Sequence, residues 1–175
     1  FTLILANYIL LNFLYSVWLK QLIFIDVMSI AAGFVLRVVA GALAISVPFS
    51  VWLMLCTFFL TLFLAIGKKK SELLLAASAG RGAGYTLALL DQMNAVVMPA
   101  TLIAYSFYTF SSPHSQWLMI TIPIVLYGLF RYLFIVSAKT ATNDGPSDDL
   151  LADRPLQLAL LVWAAAAIVI LLYGK

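Results

Sequence analysis

The chain has 175 residues, of which 65% are hydrophobic and 10% charged, with ten Lys and Arg against seven Asp and Glu and a formal net charge of +3. With a mean hydropathy of +1.08, this composition excludes a water-soluble domain, whose apolar share is roughly half, and predicts an integral membrane protein. The modest positive charge is what membrane topology alone accounts for, so nucleic-acid binding gains no support.

The apolar stretches are long runs rather than alternations. That selects helices over a barrel, because a helix crosses the hydrocarbon in about 20 residues and satisfies its own backbone hydrogen bonds. Six runs are predicted, at 1–19, 22–45, 50–67, 88–110, 116–137 and 155–173. The expected fold class is therefore an all-α membrane protein of six transmembrane helices forming a single domain, 1–175. The second run carries two charges, Asp26 and Arg37, on nearly the same side but roughly 16 Å apart along the axis. They are too distant to pair. Each needs a partner on another helix or access to water, since even a mild insertion scale charges about 3 kcal/mol for such a residue at the helix centre. Gly33 and Gly41 flank Arg37 and predict a seam of small residues along which another helix packs closely.

Cys56 falls in the third run and reads as a small buried hydrophobe; as the single cysteine it permits no internal disulfide. Pro99 and Pro123 lie inside the fourth and fifth runs, where neighbouring helices in a membrane can compensate the lost hydrogen bonds, so both helices are expected to stay whole. Arg131, near the end of the fifth run, is placed to snorkel toward the interface.

The connections set the orientation. Lys20 follows the first run; Lys68, Lys69, Lys70 and Arg81 lie in a connection at 68–87; Lys139 and Arg154 border another at 138–154. The remaining connections, around Ser46–Phe49 and Ser111–Ser115, contain no Lys or Arg. By the positive-inside rule the basic connections are cytoplasmic. An even number of helices then puts Phe1 on the outer side without a leader ahead of it, which implies an odd number of further helices upstream. The segment "KTATNDGPSDDLLADRPL", 139–156, is read as a flexible cytoplasmic connection, with Asp153 capping a helix whose first turn contains Pro155. Asp144, Asp148 and Asp149 read as solvated acids, with Mg²⁺ binding at the adjacent Asp148 and Asp149 as the sharper alternative.

One stretch stands apart: "AIGKKKSELLLAASAGRGAGYTLALL", 65–90. Three lysines at a cytoplasmic helix end are a common topogenic signal. The same lysines, followed by "GRGAGY" with its accessible backbone N–H groups, also suit a phosphate ligand, although the glycines do not form a G-x-G-x-x-G pattern. Lys68 and Glu72 stand one turn apart in the less favourable order for a helix pair, so local helix stability is a poor reason for them. Other chemistries are missing: His114 is the single histidine, which leaves no zinc set and no Cys–His dyad, and there is no G-x-S-x-G elbow or Walker motif.

Taken in order, "FIDVMSIAAGFVLRVVAGALAI", "AIGKKKSELLL", "LLDQMNAVVMPATLIAYSFYTF", "TIPIVLYGLFRYLF" and "ADRPLQLALLVW" resemble the C-terminal part of the decaprenyl-phosphate phosphoribosyltransferases, within the UbiA-type membrane prenyltransferase superfamily. The resemblance covers nearly all of the chain. It implies helices four to nine of a nine-helix bundle, in agreement with the odd number of helices inferred upstream. It also implies transfer of phosphoribose from phosphoribosyl pyrophosphate to a polyprenyl phosphate, with Mg²⁺ and release of pyrophosphate at the cytoplasmic side, a chemistry of cell wall biosynthesis. Gly67–Leu73 matches a family signature resembling Gly-Lys-Arg-Arg-His-Glu-Leu. By that resemblance Lys68, Lys69 and Lys70 contact phosphates and Glu72 orients a lysine or metal-bound water, with Asp91 and Arg154 as further substrate-binding candidates. Lys in place of both arginines removes the bidentate fork, and Ser71 in place of His removes an imidazole. The superfamily's first aspartate-rich motif, which holds Mg²⁺-diphosphate, belongs to a region ahead of Phe1, so the main metal ligands are expected outside this chain. The alternative reading is a non-catalytic UbiA-like membrane subunit of a larger complex. A transporter is a weaker third, because intramembrane polar residues are few and no inverted repeat is visible.

Overall fold

The computed structural model describes residues 2–46, 50–78, 84–111, 115–138 and 153–173. Their helices are α1 (Thr2–Val17), α2 (Ile25–Ala44), α3 (Val51–Ser78), α4 (Leu87–Ser111), a short α5 (Ser115–Leu118), α6 (Ile122–Ala138) and α7 (Arg154–Tyr173), with 3-10 turns at Leu19–Gln21 and Met119–Thr121. No strand occurs among the described residues. Each expected apolar run holds a helix. Among the described residues, four segments are long and apolar enough to cross a membrane, Ile25–Ala44, Val51–Leu74, Leu87–Ser111 and Met119–Ser137, while the apolar helices Ile4–Val17 and Arg154–Ile170 are shorter.

Two helices depart from the apolar pattern for identifiable reasons. α3 does not stop where hydrophobicity does; it continues through the three lysines to Ser78, because Lys, Glu, Leu and Ala are good helix formers that need no apolar surroundings. The lysine run is thus helical and continuous with the membrane-crossing part of α3. The fifth run is not a single α-helix as expected. It passes from α5 through a 3-10 turn into α6, and Pro123 stands in the first turn of α6, where its missing N–H costs nothing. Pro99, in contrast, sits within an unbroken α4.

α3 lies at the centre, packed against α2 and α4 and touching α6, while α1 covers α2 and α7 covers α6. The main core comprises Val27 and Ala31 of α2, Leu62, Phe63 and Ile66 of α3, Leu90 and Val97 of α4, and Leu129, Tyr132 and Val136 of α6. A second cluster joins Cys56, Ala104 and Tyr105, so Cys56 is a buried free thiol as expected. Polar groups at that level are satisfied in a chain. Trp163 Nε1 donates to the Tyr105 hydroxyl at 2.9 Å, which shares a 2.6 Å hydrogen bond with Thr121 Oγ1, fastening α4, the 3-10 turn and α7 together.

The glycines divide sharply. A Cβ on Gly67 would fall within 2.7 Å of Tyr132 Cζ, and the Tyr132 hydroxyl donates to the Leu64 carbonyl at 2.9 Å; the glycine leaves the space that the Tyr132 ring of α6 takes against α3. The expected seam at Gly33 and Gly41 is not of this kind. Gly33 meets Leu11 of α1 at an ordinary 3.8 Å, and a Cβ on Gly41 meets nothing within 4 Å.

Candidate functional site

The long helices α2, α3, α4, α6 and α7 alternate in direction, as the pairs Lys69–Asp26, Lys70–Asp91 and Arg131–Asp153 between them show. In consequence the start of α2, the end of α3, the start of α4, the end of α6 and the start of α7 gather at one end of the bundle. The polar contacts concentrate there.

Asp26 is 3% exposed and its carboxylate is fully engaged. Oδ2 pairs with Lys69 Nζ at 3.0 Å, and Oδ1 accepts the Val27 N–H at 2.7 Å and the Tyr85 hydroxyl. Tyr85 in turn accepts the N–H of Phe24 at 2.7 Å. Phe24 has φ of 70°, a backbone conformation that is costly for a side chain of this size, and the Tyr85 hydrogen bond holds it there. Lys69 Nζ also lies 5.7 Å from the centre of the Tyr85 ring. Burial, and then the hydrogen bond to Asp26, push the Tyr85 hydroxyl up to about 12. It stays protonated at neutral pH and donates.

The other two lysines are placed differently. Lys70 Nζ pairs with Asp91 Oδ1 at 2.6 Å and reaches Ser137 Oγ at 3.4 Å, linking α3 to α4 and α6. Lys68 is 65% exposed and its nearest carboxylate oxygen, on Glu72, is 4.0 Å away; Glu72 lies at the same distance from Lys69. Five of the six substrate-binding candidates, Lys68, Lys69, Lys70, Glu72 and Asp91, are therefore brought into one cluster. Arg154 is not. It is exposed, and it lines a groove of about 500 Å³ between α6 and α7 with Pro123, Tyr127, Pro155 and Leu158.

One expectation for a neighbouring residue changes and two hold. Arg131 does not snorkel freely: its guanidinium grips Asp153 through Nε at 3.1 Å and Nη2 at 2.7 Å, a forked geometry that an Arg and a carboxylate favour. Asp153 does cap α7 as expected, accepting the Leu156 N–H at 2.8 Å, and the hydrogen bond from Arg131 holds its carboxyl below the usual carboxylate range. Arg37, eleven residues beyond Asp26 on α2, finds the Tyr8 hydroxyl on α1 at 2.6 Å, which supplies the partner its position called for.

Tyr85, Ser137 and Tyr132 belong to the cluster and its support, yet sequence reasoning did not single them out. Of "GRGAGY" only Gly84 and Tyr85 are described; Arg81 and the preceding glycines lie outside the described residues, as do His114, Lys139, Asp144, Asp148 and Asp149. Asn94 is also new. It is 4% exposed, one turn beyond Asp91 on α4, and neither polar atom of its side chain has a partner among the described residues.

A Mg²⁺ site calls for several oxygen ligands free to converge. Among the described residues no three His, Cys, Asp or Glu side chains do so, and Asp26, Glu72, Asp91 and Asp153 each face a Lys or Arg. These residues do not fit a Mg²⁺ site.

No family model matches the chain. Individual proteins do. It is 27% identical to a decaprenyl-phosphate phosphoribosyltransferase of Mycolicibacterium smegmatis over 176 residues, an alignment taking in 91% of this chain and 55% of that protein. The chain is a relative of decaprenyl-phosphate phosphoribosyltransferases. The enzyme of that name from Corynebacterium glutamicum is 30% identical over 172 residues, 91% of this chain and 51% of the relative. That from Mycobacterium tuberculosis is 26% identical over 170 residues, 93% and 56% respectively. The chain spans about half the length of the curated relatives it matches.

Proposed function

We propose that this chain is the C-terminal part of a membrane enzyme that transfers phosphoribose from phosphoribosyl pyrophosphate to a decaprenyl-type polyprenyl phosphate and releases pyrophosphate. The observation that carries the proposal is the similarity to decaprenyl-phosphate phosphoribosyltransferases along nine tenths of the chain. The lysine cluster at one end of the bundle supports it chemically, because a departing diphosphate accumulates negative charge that placed cations stabilise.

In this reading the acceptor phosphate oxygen bonds to the anomeric carbon of the ribose as the bond from that carbon to the diphosphate breaks. Lys68 and Lys69 face the phosphates of the donor, and the lysine end of the bundle is the cytoplasmic side of the plasma membrane or another energy-transducing membrane. Mg²⁺ enters only through the family resemblance, and its carboxylates belong to a part of the protein beyond these residues. The pairing of all four described carboxylates with cations favours, as the second reading, a UbiA-like subunit that keeps the bundle without the chemistry.

The test is turnover. Membranes containing the full native protein are supplied with labelled phosphoribosyl pyrophosphate, decaprenyl phosphate and Mg²⁺, and the lipid fraction is analysed. Labelled decaprenyl phosphoribosyl phosphate supports the enzyme. Donor binding without product would leave the subunit reading standing. Cysteines introduced at Ser78 and Ser112 are expected to label from opposite sides of the membrane, and equal labelling from outside would overturn the orientation.

A further inference from the structure

We propose that Asp26 and Tyr85 are positioning residues that hold Lys69 as the phosphate-facing cation of this site, while Lys70 is a staple between helices; the inference rests on the phosphoribosyl-transfer reading and assigns separate tasks to its lysines.

Lys68, Lys69 and Lys70 are matched by Asp26, Glu72 and Asp91, so the cluster has no net charge with which to attract a diphosphate. Recognition must come from a donor held in the right place rather than from a diffuse field. An ammonium has three N–H donors. Lys69 spends one on Asp26, its distance of 4.0 Å to Glu72 exceeds a hydrogen bond, and its side chain remains 31% exposed. Two donors are left for a ligand.

The carboxylate that holds it is fixed in turn. Asp26 is buried and receives three donors, and its partner Tyr85 is anchored by the N–H of the strained Phe24. Strained backbone kept in place by its surroundings is a recurrent feature of sites that must hold a group still. Lys70 has no comparable freedom: its side chain is 12% exposed and its ammonium bridges Asp91 and Ser137. Lys68 is largely in solvent, 4.0 Å from Glu72, and nothing fixes its geometry.

The test uses inorganic pyrophosphate as the probe, with binding to the full native protein in detergent measured by titration calorimetry and folding by thermal unfolding. Lys69→Met should weaken binding about tenfold, the loss of one charge-assisted contact. Asp26→Asn and Tyr85→Phe should each weaken it by about threefold to tenfold. Lys70→Met should lower the unfolding temperature while changing affinity by less than about twofold. In the Lys69→Met background, Asp26→Asn should cause no further loss, because its effect passes through that lysine; a merely structural role would add a second loss. Tyr85→Phe keeps the ring and stands in if Asp26→Asn does not fold. Tighter or unchanged binding by Asp26→Asn and Tyr85→Phe, with Lys69→Met still weakened, overturns the positioning role and leaves the phosphate site intact. Absence of pyrophosphate binding in the unaltered protein overturns the phosphate site itself, and this inference with it.

Discussion

Asp26 and Arg37 stand on the same helix, and the protein treats them in opposite ways. Asp26 is buried and receives a lysine from α3, a hydroxyl from the segment before α4 and a backbone N–H. Arg37 is exposed and is held by a phenol on α1, with the rings of Phe34 and Tyr8 at 4.9 and 5.2 Å. The difference teaches that depth of packing decides what a charge requires. Surrounded by three elements, a carboxylate loses its water and must be matched by a cation and by hydrogen bonds. At the edge of the bundle the guanidinium of Arg37 is met by a hydroxyl and two ring faces rather than by a counter-ion. The glycines repeat the lesson: Gly67 lies against Tyr132, whereas Gly41 faces open space.

Substitutions can break this contrast. The largest effect is expected from Asp26→Ala, which leaves Lys69 and the Tyr85 hydroxyl without their acceptor and should cost about 3 kcal/mol, moderated by the partial exposure of Lys69. Thermal or denaturant unfolding in detergent measures it, and a loss under about 1 kcal/mol would show that the buried pair is dispensable. Gly67→Ala should follow at about 2 kcal/mol, the cost of overpacking against Tyr132, while Gly41→Ala should be neutral or stabilising by up to about 1 kcal/mol through helix propensity. Equal effects at the two glycines would remove the contrast.

A pH experiment sharpens the same comparison. The Tyr85 hydroxyl is raised from 10.0 to about 12 in the folded protein. Between those values the unfolded chain has lost a proton that the folded chain keeps, so stability falls as pH rises through that window and is fully present below it. Tyr85→Phe should flatten this alkaline slope of stability against pH, and an unchanged slope would mean that another group sets it. The smallest effect belongs to Arg37→Leu, which should leave the unfolding temperature within about 2 °C; a drop as large as that of Asp26→Ala would place the two charges in one class.

Much of the architecture was legible because it depends on local composition. The six apolar runs each hold a helix, and the need of Asp26 and Arg37 for partners on other helices follows from the energy of an unpaired charge alone. The lysine run marks a candidate site by its composition, and of the six residues that the family resemblance names there, five meet. What the pattern missed were partners at large sequence separation. Nothing in "YGLFRYLF" announces that Arg131 will bind Asp153, or that Tyr132 will press on Gly67. Tyr85 drew no notice beside the glycines that precede it, because its importance comes from a carboxylate 59 residues away.

By itself the sequence determined that this is a helical membrane protein, where its apolar segments run, and that its cationic end is set apart from the rest, since hydrophobicity and helix propensity act over a few turns. Only the tertiary structure decided how the three consecutive lysines differ. Adjacent helical residues project about 100° apart, so Lys69 meets the carboxylate of α2, Lys70 meets α4 and α6, and Lys68 is left largely in solvent. One residue type repeated three times thus takes three settings, against a buried aspartate, bridging two helices, and in solvent beside Glu72, because each faces a different neighbour.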